Sequence, residues 1–308
     1  MNDYFLDEYC AMKMEYFEVV KLISVLNPLT LTKIVRPTTD FERVLGMTVV
    51  GSRLLILREC KKRIFSVLTS IDVYNIKSFN KTRDIVIPGA KILEAITSCL
   101  YSNCLYLGDS ELKVIYRYDL QTKKVINKWS ISVKCEGLSV TRRYNLLVTL
   151  HCLNEIQEYS PDGSLVRKIR LNDILVDPHH CVELSDDQFV VSYGGWWTKQ
   201  VSGVCIVDNN GLIKMSHGGE PGSGVGQMRG PGQIVIDKHG YMMIADVLNN
   251  RVELLSPSLT HIRYVQIPGH ELSGPWSLHL DELNHRLYIS EGLFGGGRIF
   301  TFNVDTTL

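Results

Sequence analysis

Short apolar segments separated by polar turns recur six times along the chain. Each segment is rich in β-branched residues and closes on a polar residue or a glycine, which is typical of a buried strand. The six segments are LLILRE (54–59), CLYLGD (104–109), LLVTLH (146–151), FVVSYG (189–194), YMMIAD (241–246) and RLYISE (286–291).

Each of these segments has strand-like neighbours on both sides. In the first unit GMTVVG (46–51) precedes it and RIFSVL (63–68) follows it, and in most units a fourth strand such as LVRKIRL (165–171) comes next. The units lie about 42 to 53 residues apart, and turn pairs such as Asp-Gly and Asn-Gly separate the strands. Repeats of this kind predict an all-β fold, a six-bladed β-propeller of four-stranded blades.

The last unit ends at Val304 without a fourth strand, whereas LTKIVRP (31–37) resembles the fourth strands of other units. We therefore predict that this N-terminal strand closes the ring by pairing with the last blade, because closure removes two exposed sheet edges. The predicted organisation is an N-terminal extension over 1–29 and the propeller over 30–308. Within the extension the apolar positions favour a helix over 8–24, with a strand as the alternative.

Composition narrows the class of partner. The chain of 308 residues carries 33 basic and 33 acidic side chains, so its net charge does not favour nucleic acid or a membrane as the main partner. No apolar stretch reaches the roughly 18 residues of a membrane-spanning helix, and the acidic start does not fit a secretion signal. We expect a cytoplasmic monomer with reduced thiols. Among eight scattered cysteines, Cys99 and Cys104 are the pair that could face each other across a short turn.

One unit carries a more specific pattern. The segment GGEPGSGVGQMRGPGQIVIDKHGYMMIADVLNNRVELLSP (218–257) resembles an NHL repeat, with a glycine-rich entry, an alternating strand, the xAD motif and NNRV. The last unit matches more loosely, and the other units keep only the strand pattern. The resemblance implies a six-bladed propeller in which the glycine-rich segment links two blades. A phosphate-binding loop would instead lead from a strand into a helix and carry a lysine.

In a propeller the second strand of each blade ends near one mouth of the central axis. The side chains predicted to form a ring there either bind a ligand or make hydrogen bonds to the turns of their own blades. For Asp246, with Asn250 and Arg251 close by, we favour the structural role. The ring consists of Glu59, Asp109, His151, Tyr193, Asp246 and Glu291.

A metal-dependent hydrolase or lyase is the alternative that an axial site suggests. The peptide-amidating lyases, which have similar blades, place one histidine on each of several blades, and here only His180 and His151 stand in comparable places, with Cys135 nearby. Glu59, Asp109 and Glu291 could mimic the acidic metal site of sugar lactonases. Zinc catalysis needs three protein ligands and an open position. Because this set is incomplete, no metal and no cofactor is predicted.

Aromatic loop residues favour recognition instead. Trp196 and Trp197 follow two glycines in a loop of the fourth unit, and Trp276 and Phe294 could join them at the same mouth. Exposed aromatic side chains on a rigid scaffold are typical anchors for a ligand or peptide. The alternative is packing between neighbouring loops.

The basic segment around Arg58 suggests a third possible function, the binding of RNA. Arg58 is predicted to lie in a loop with Lys61, Lys62 and Arg63, and a basic face could bind single-stranded RNA. The acidic ring opposes RNA binding. The predicted function is therefore non-catalytic recognition of a protein or peptide partner, as in the NHL domains of tripartite-motif ubiquitin ligases, where such a platform chooses the target.

Overall fold

The structure is a computed structural model. Its described residues form six four-stranded antiparallel sheets. Apart from the 3₁₀ turns His151–Leu153 and Val247–Asn249, the described residues contain no helix. The fold is therefore all-β, as predicted from the repeats. The helix predicted over 8–24 lies outside the described residues, and the domain boundary at 29/30 stays a prediction. The described residues are 29–35, 43–61, 67–195, 200–267, 269–292 and 297–304.

The innermost strand of each blade lines the central axis. Each inner strand contacts the inner strands of the blades before and after it, and the first contacts the last, so the blades follow one another in a closed ring. The inner strands are β2 (Val44–Val50), β6 (Leu93–Cys99), β10 (Gly137–Val140), β14 (Pro178–Ser185), β18 (Pro231–Ile236) and β22 (Pro275–Asp281).

The second strands are the most apolar part of each blade, because both of their faces are covered by neighbouring blades. They coincide closely with the six segments that define the repeat in the sequence. The second strands are β3 (Arg53–Lys61), β7 (Cys104–Asp109), β11 (Leu146–Leu150), β15 (Gln188–Tyr193), β19 (Met242–Asp246) and β23 (Arg286–Glu291).

The third and fourth strands complete each blade toward the outside. The outer strands consist mostly of half-buried and exposed residues, which alternate strictly in β9, as expected for a sheet edge in contact with solvent. The third strands are β4 (Val67–Asn75), β8 (Val114–Asp119), β12 (Glu155–Tyr159), β16 (Ser202–Asp208), β20 (Arg251–Leu255) and β24 (Ile299–Asn303). The outer strands are β5 (Lys81–Ile85), β9 (Lys124–Ser130), β13 (Leu165–Arg170), β17 (Ile213–Gly219), β21 (His261–Tyr264) and, in the sixth blade, β1 (Thr30–Val35).

The N-terminal strand β1 closes the ring, as predicted. It pairs antiparallel with β24, with Thr30 opposite Asn303 and Val35 opposite Ile299. Leu31 and Ile34 pack against the apolar cluster shared by the fifth and sixth blades. The strand therefore covers the last sheet edge and also adds apolar burial to the seam.

The glycine-rich segment links two blades. It leads from β17, the outer strand of the fourth blade, to β18, the inner strand of the fifth. Gly218 has a φ of +103°, and a Cβ at this position would lie 2.4 Å from the Ser202 carbonyl oxygen. Only glycine fits both the angle and the approach. The segment is thus a strand-to-strand connection, as the resemblance implied.

The first blade departs from the sequence prediction. Its third strand was placed at 63–68, but β4 runs over Val67–Asn75, and Arg58, which was placed in a loop, lies in β3. The Arg58 Nε lies 2.8 Å from the Oδ2 of Asp72 on β4, and Asp72 is fully buried. This internal ion pair puts charged residues into two strands and hides the apolar pattern on which the prediction relied.

Candidate functional site

The inner strands begin at one end of the axis, which we call the narrow mouth. Side chains from five blades meet there around a cavity of about 20 Å³, which is room for roughly one water molecule. The lining residues are Leu45, Glu136, His179, His180, Gly232, Gln233 and Trp276.

Asp109, at the end of the second strand of its blade, is fully buried. Its Oδ2 accepts a 2.7 Å hydrogen bond from the Lys91 backbone N–H, and its Oδ1 accepts bonds of 3.1 and 2.9 Å from those of Glu111 and Leu112. Both carboxylate oxygens therefore hold the start of β6 and the turn after β7 in place.

Asp246 and Glu291 occupy the same position in the last two blades and are also fully buried. The Arg251 Nε lies 2.7 Å from Asp246 Oδ2, and the Arg229 backbone N–H donates to Asp246 Oδ1 at 2.8 Å. In the sixth blade, Arg298 donates to both oxygens of Glu291, at 2.5 and 2.7 Å. These paired contacts satisfy the charges inside the blade, which is the structural role proposed for Asp246 from the sequence.

Glu59 and Tyr193 complete this part of the predicted ring. The Glu59 carboxylate lies 3.8 Å from the Arg43 guanidinium. Tyr193 is buried in the apolar cluster of the third and fourth blades, and this burial raises the pKa of its hydroxyl to about 12. Tyr193 therefore packs inside the ring and its phenol stays protonated at neutral pH.

His180 connects three blades. Its Nδ1 accepts a 3.2 Å hydrogen bond from the Ile234 N–H of the fifth blade, so Nε2 carries the proton and donates to the Leu138 carbonyl of the third blade at 3.3 Å. Burial lowers the pKa of this imidazole to about 4. The ring is therefore neutral, and both of its nitrogens are engaged by the backbone.

His151 and His179 lie beside each other at the narrow mouth, with ring centroids 5.8 Å apart. The His151 Nε2 lies 3.3 Å from Asp177 Oδ1, and the His179 Nε2 donates to the Gly194 carbonyl at 2.9 Å. Burial lowers the pKa of His179. Among the described residues, no group of three or more histidine, cysteine, aspartate or glutamate side chains is placed to hold a metal ion.

Trp276 is half-buried at the narrow mouth, where its indole N–H donates to the Leu45 carbonyl at 3.0 Å. This bond ties the sixth blade to the first. The other three aromatic residues of the predicted patch, Trp196, Trp197 and Phe294, lie outside the described residues.

The inner strands end at the opposite side of the axis, which we call the wide mouth. A cavity of about 380 Å³ opens there between the sixth, first and second blades, and its volume is within the range typical of ligand pockets. At its wall, the Val49 N–H donates to His279 Nε2 at 3.2 Å. Burial lowers the pKa of His279 to about 4, so this ring also remains neutral. The lining includes Val49, Gly51, Ser98, Leu100, His279, Asp281, Glu282 and Leu283.

Exposed apolar side chains lie at the wide mouth on the second, third and sixth blades. Leu100 and Leu283 line the cavity and are 54% and 76% exposed. Tyr101, next to Leu100, stacks on Tyr144 of the following blade, with ring centroids 4.3 Å apart and planes at 11°. The tyrosines are 76% and 42% exposed. We call these four residues the axial apolar surface.

Sequence reasoning missed the axial apolar surface. Its residues lie in turns between inner and second strands, whereas the residues of the predicted ring lie at the opposite ends of those strands. A signal existed, since LYSN and RRYN both place a tyrosine inside a hairpin turn, where polar residues prevail.

Comparison with known proteins supports the fold and gives no family. No family model matches the chain, and no curated protein matches it. Among solved structures, a chain of hydrazine synthase from Kuenenia stuttgartiensis is similar, with a TM-score of 0.59 and 15% identity over 86% of this chain and 98% of that chain. At this identity the likeness shows the fold alone. The six-bladed propeller is therefore shown, whereas membership of the NHL family has no support from a family model.

Among the described residues, no helix is long and apolar enough to cross a membrane.

Proposed function

We propose that this chain is a non-catalytic recognition platform, which binds a protein or peptide partner through loops at one end of its axis. The observation that carries the proposal is the exposed Tyr101–Tyr144 stack beside the wide-mouth cavity. A stacked pair loses little conformational entropy when a partner covers it, and tyrosines are enriched at the centres of interfaces.

The chemistry of the wide mouth specifies the partner further. The axial apolar surface suits an aromatic or aliphatic side chain. Asp281 and Glu282 at the cavity beside it add negative charge, although they also accept hydrogen bonds from Asn284 and from the Lys238 N–H. The proposed partner segment therefore presents an apolar residue with a basic residue next to it. In a ubiquitin-ligase-type system, such a segment would belong to the target protein.

The described contacts support recognition over the two alternatives. His180, a candidate metal ligand, uses both ring nitrogens for backbone hydrogen bonds. Arg58, a candidate for contacts with RNA phosphates, faces the buried carboxylate of Asp72. The aromatic residues Trp196, Trp197 and Phe294, predicted from the sequence as partner contacts, lie outside the described residues, and two of them are substituted in the experiment.

The test is selection of peptides from a random display library on the full chain, followed by affinity measurement by fluorescence anisotropy. For peptides that use the axial apolar surface, we expect the double variant Tyr101→Ala/Tyr144→Ala to weaken binding by at least about tenfold. The matched control is Ile174→Ala, which removes an exposed apolar side chain elsewhere. The variant Trp196→Ala/Trp197→Ala tests the aromatic loop predicted from the sequence. Peptides that bind both double variants with unchanged affinity, or a library that yields no binder, would overturn the proposal.

A further inference from the structure

Two cysteines face each other across the first hairpin of the second blade. Cys99 ends β6, Cys104 begins β7, and the two residues are direct partners in the antiparallel register. Both are free thiols. Residues 100–103 join them, and the Ser102 hydroxyl oxygen lies 3.1 Å from the Cys104 sulfur.

We propose that Cys99 and Cys104 form a reversible redox site, in which exchange with a small disulfide such as oxidised glutathione joins them. The Cys99 thiolate attacks one sulfur of glutathione disulfide, whose S–S bond breaks and releases one glutathione thiolate. Cys104 then loses its proton and attacks the Cys99 sulfur of the mixed disulfide, which releases the second glutathione. In balance, two protein thiols are oxidised and one glutathione disulfide is reduced to two glutathione molecules.

The surroundings give the two sulfurs different roles. A hydrogen bond from the Cys104 thiol, with further bonds from Ser102, lowers the pKa of the Cys99 thiol to about 5. The same bond and burial raise the pKa of Cys104. Cys99, which adjoins the exposed Leu100 of the turn, is therefore assigned as the attacking thiol and Cys104 as the resolving thiol. Arg117 and Tyr106 lie beside Cys104, and the Arg117 guanidinium favours its thiolate when the second step requires it.

The pair lies in the apolar cluster between the second and third blades, directly beneath the hairpin turn. Cys99 and Cys104 are 2% and 0% exposed, whereas Leu100 and Tyr101 of the turn are largely exposed. Turns open locally at far lower free energy than the blade core. Opening of this turn therefore admits the reagent, and bridging is slow.

The fourth blade provides an internal control. Cys181 and Cys205 are also buried, but both face Val191 of the strand between them, so one whole strand separates them. Burial raises the pKa of both thiols, that of Cys205 to about 12. Neither a thiolate nor a facing partner is present, and we expect no bridge there.

The experiment measures the equilibrium between the native full chain and defined mixtures of reduced and oxidised glutathione. After quenching with N-ethylmaleimide, trypsin releases residues 92–113 as one peptide that contains both cysteines. We expect this peptide to lose two hydrogen atoms and to take up no N-ethylmaleimide, and dithiothreitol to reverse both changes. The variant Cys104→Ser should retain one glutathione on Cys99.

The proposal requires that the native fold favours the bridge, and not only the closeness of Cys99 and Cys104 in the sequence. We expect the equilibrium constant for bridging to be at least about tenfold larger in the native chain than in urea. Equal constants, or a peptide 92–113 that keeps two thiols while exposed Cys152 becomes glutathionylated, would overturn the proposal. The outcome does not depend on the proposed recognition function, because no partner enters the measurement.

Discussion

The two ends of the central axis differ in how their polar and apolar side chains are used. At the narrow mouth, Asp109, His180 and Glu291 are buried and hydrogen-bonded within or between blades. At the wide mouth, Tyr101 and Leu283 project into solvent around an open cavity. A ring of polar residues at a propeller mouth can therefore belong to the scaffold. A surface that is open to a partner has to be sought at both ends of the axis.

The largest effect on stability is expected from the removal of His180, the histidine that joins three blades. The substitution His180→Leu leaves the Ile234 N–H and the Leu138 carbonyl buried without partners. We expect it to lower the free energy of unfolding at pH 7 by about 3 kcal/mol, measured by urea denaturation. His239→Leu, at an exposed histidine, is the matched control. Equal losses in the two variants would show that His180 is not a structural bridge.

The pH dependence of the same variant tests the protonation state. His180 has a folded pKa of about 4, lowered by burial from 6.5, so the unfolded chain binds a proton between these values that the folded chain does not. Stability from this group is therefore present above pH 6.5 and is lost as the pH falls toward 4. Because His180→Leu lacks this loss, its destabilisation should be smaller at pH 5 than at pH 7, by about 2 kcal/mol. A pH-independent difference would mean that His180 does not titrate in this window.

The buried ring carboxylates provide a smaller test. Glu291→Gln removes the charge that Arg298 contacts while it keeps the shape of the side chain. We expect a loss of about 1.5 kcal/mol in the free energy of unfolding, because hydrogen bonds to charged groups are stronger than neutral ones. Asp186→Asn, at a largely exposed carboxylate, should change little. An unchanged free energy of unfolding in Glu291→Gln would mean that the Arg298–Glu291 contact does not stabilise the blade.

The wide mouth should give the smallest effect on stability. Tyr144→Ala removes a half-exposed ring whose described contact is the stack with Tyr101. We expect the free energy of unfolding, measured by urea denaturation, to change by no more than about 0.5 kcal/mol, as for ordinary surface substitutions. A large loss of stability would place this tyrosine in the scaffold, and the difference between the two mouths would disappear.

Much of the fold follows from local patterns. The apolar second strands, the turn pairs and the missing fourth strand of the last unit predict six blades and the closing role of β1, which the structure confirms. These features are recognised by alternation and turn residues within about ten positions, so they can be predicted from the sequence. The prediction was wrong for the first blade, where the Arg58–Asp72 pair places charges inside strands.

The repeat and the blade architecture could thus be predicted from the sequence, because they depend on neighbours close in the chain. The closing strand could be predicted because the last unit lacks a fourth strand and the N-terminal segment has the pattern of one. Only the tertiary structure decided which polar residues are scaffold and which surface is open. His180 bonds to Leu138 and Ile234, and Tyr101 stacks on Tyr144, so each role is set by residues from other blades. The direction and partners of a side chain are fixed by packing across blades, and no pattern within one blade contains that information.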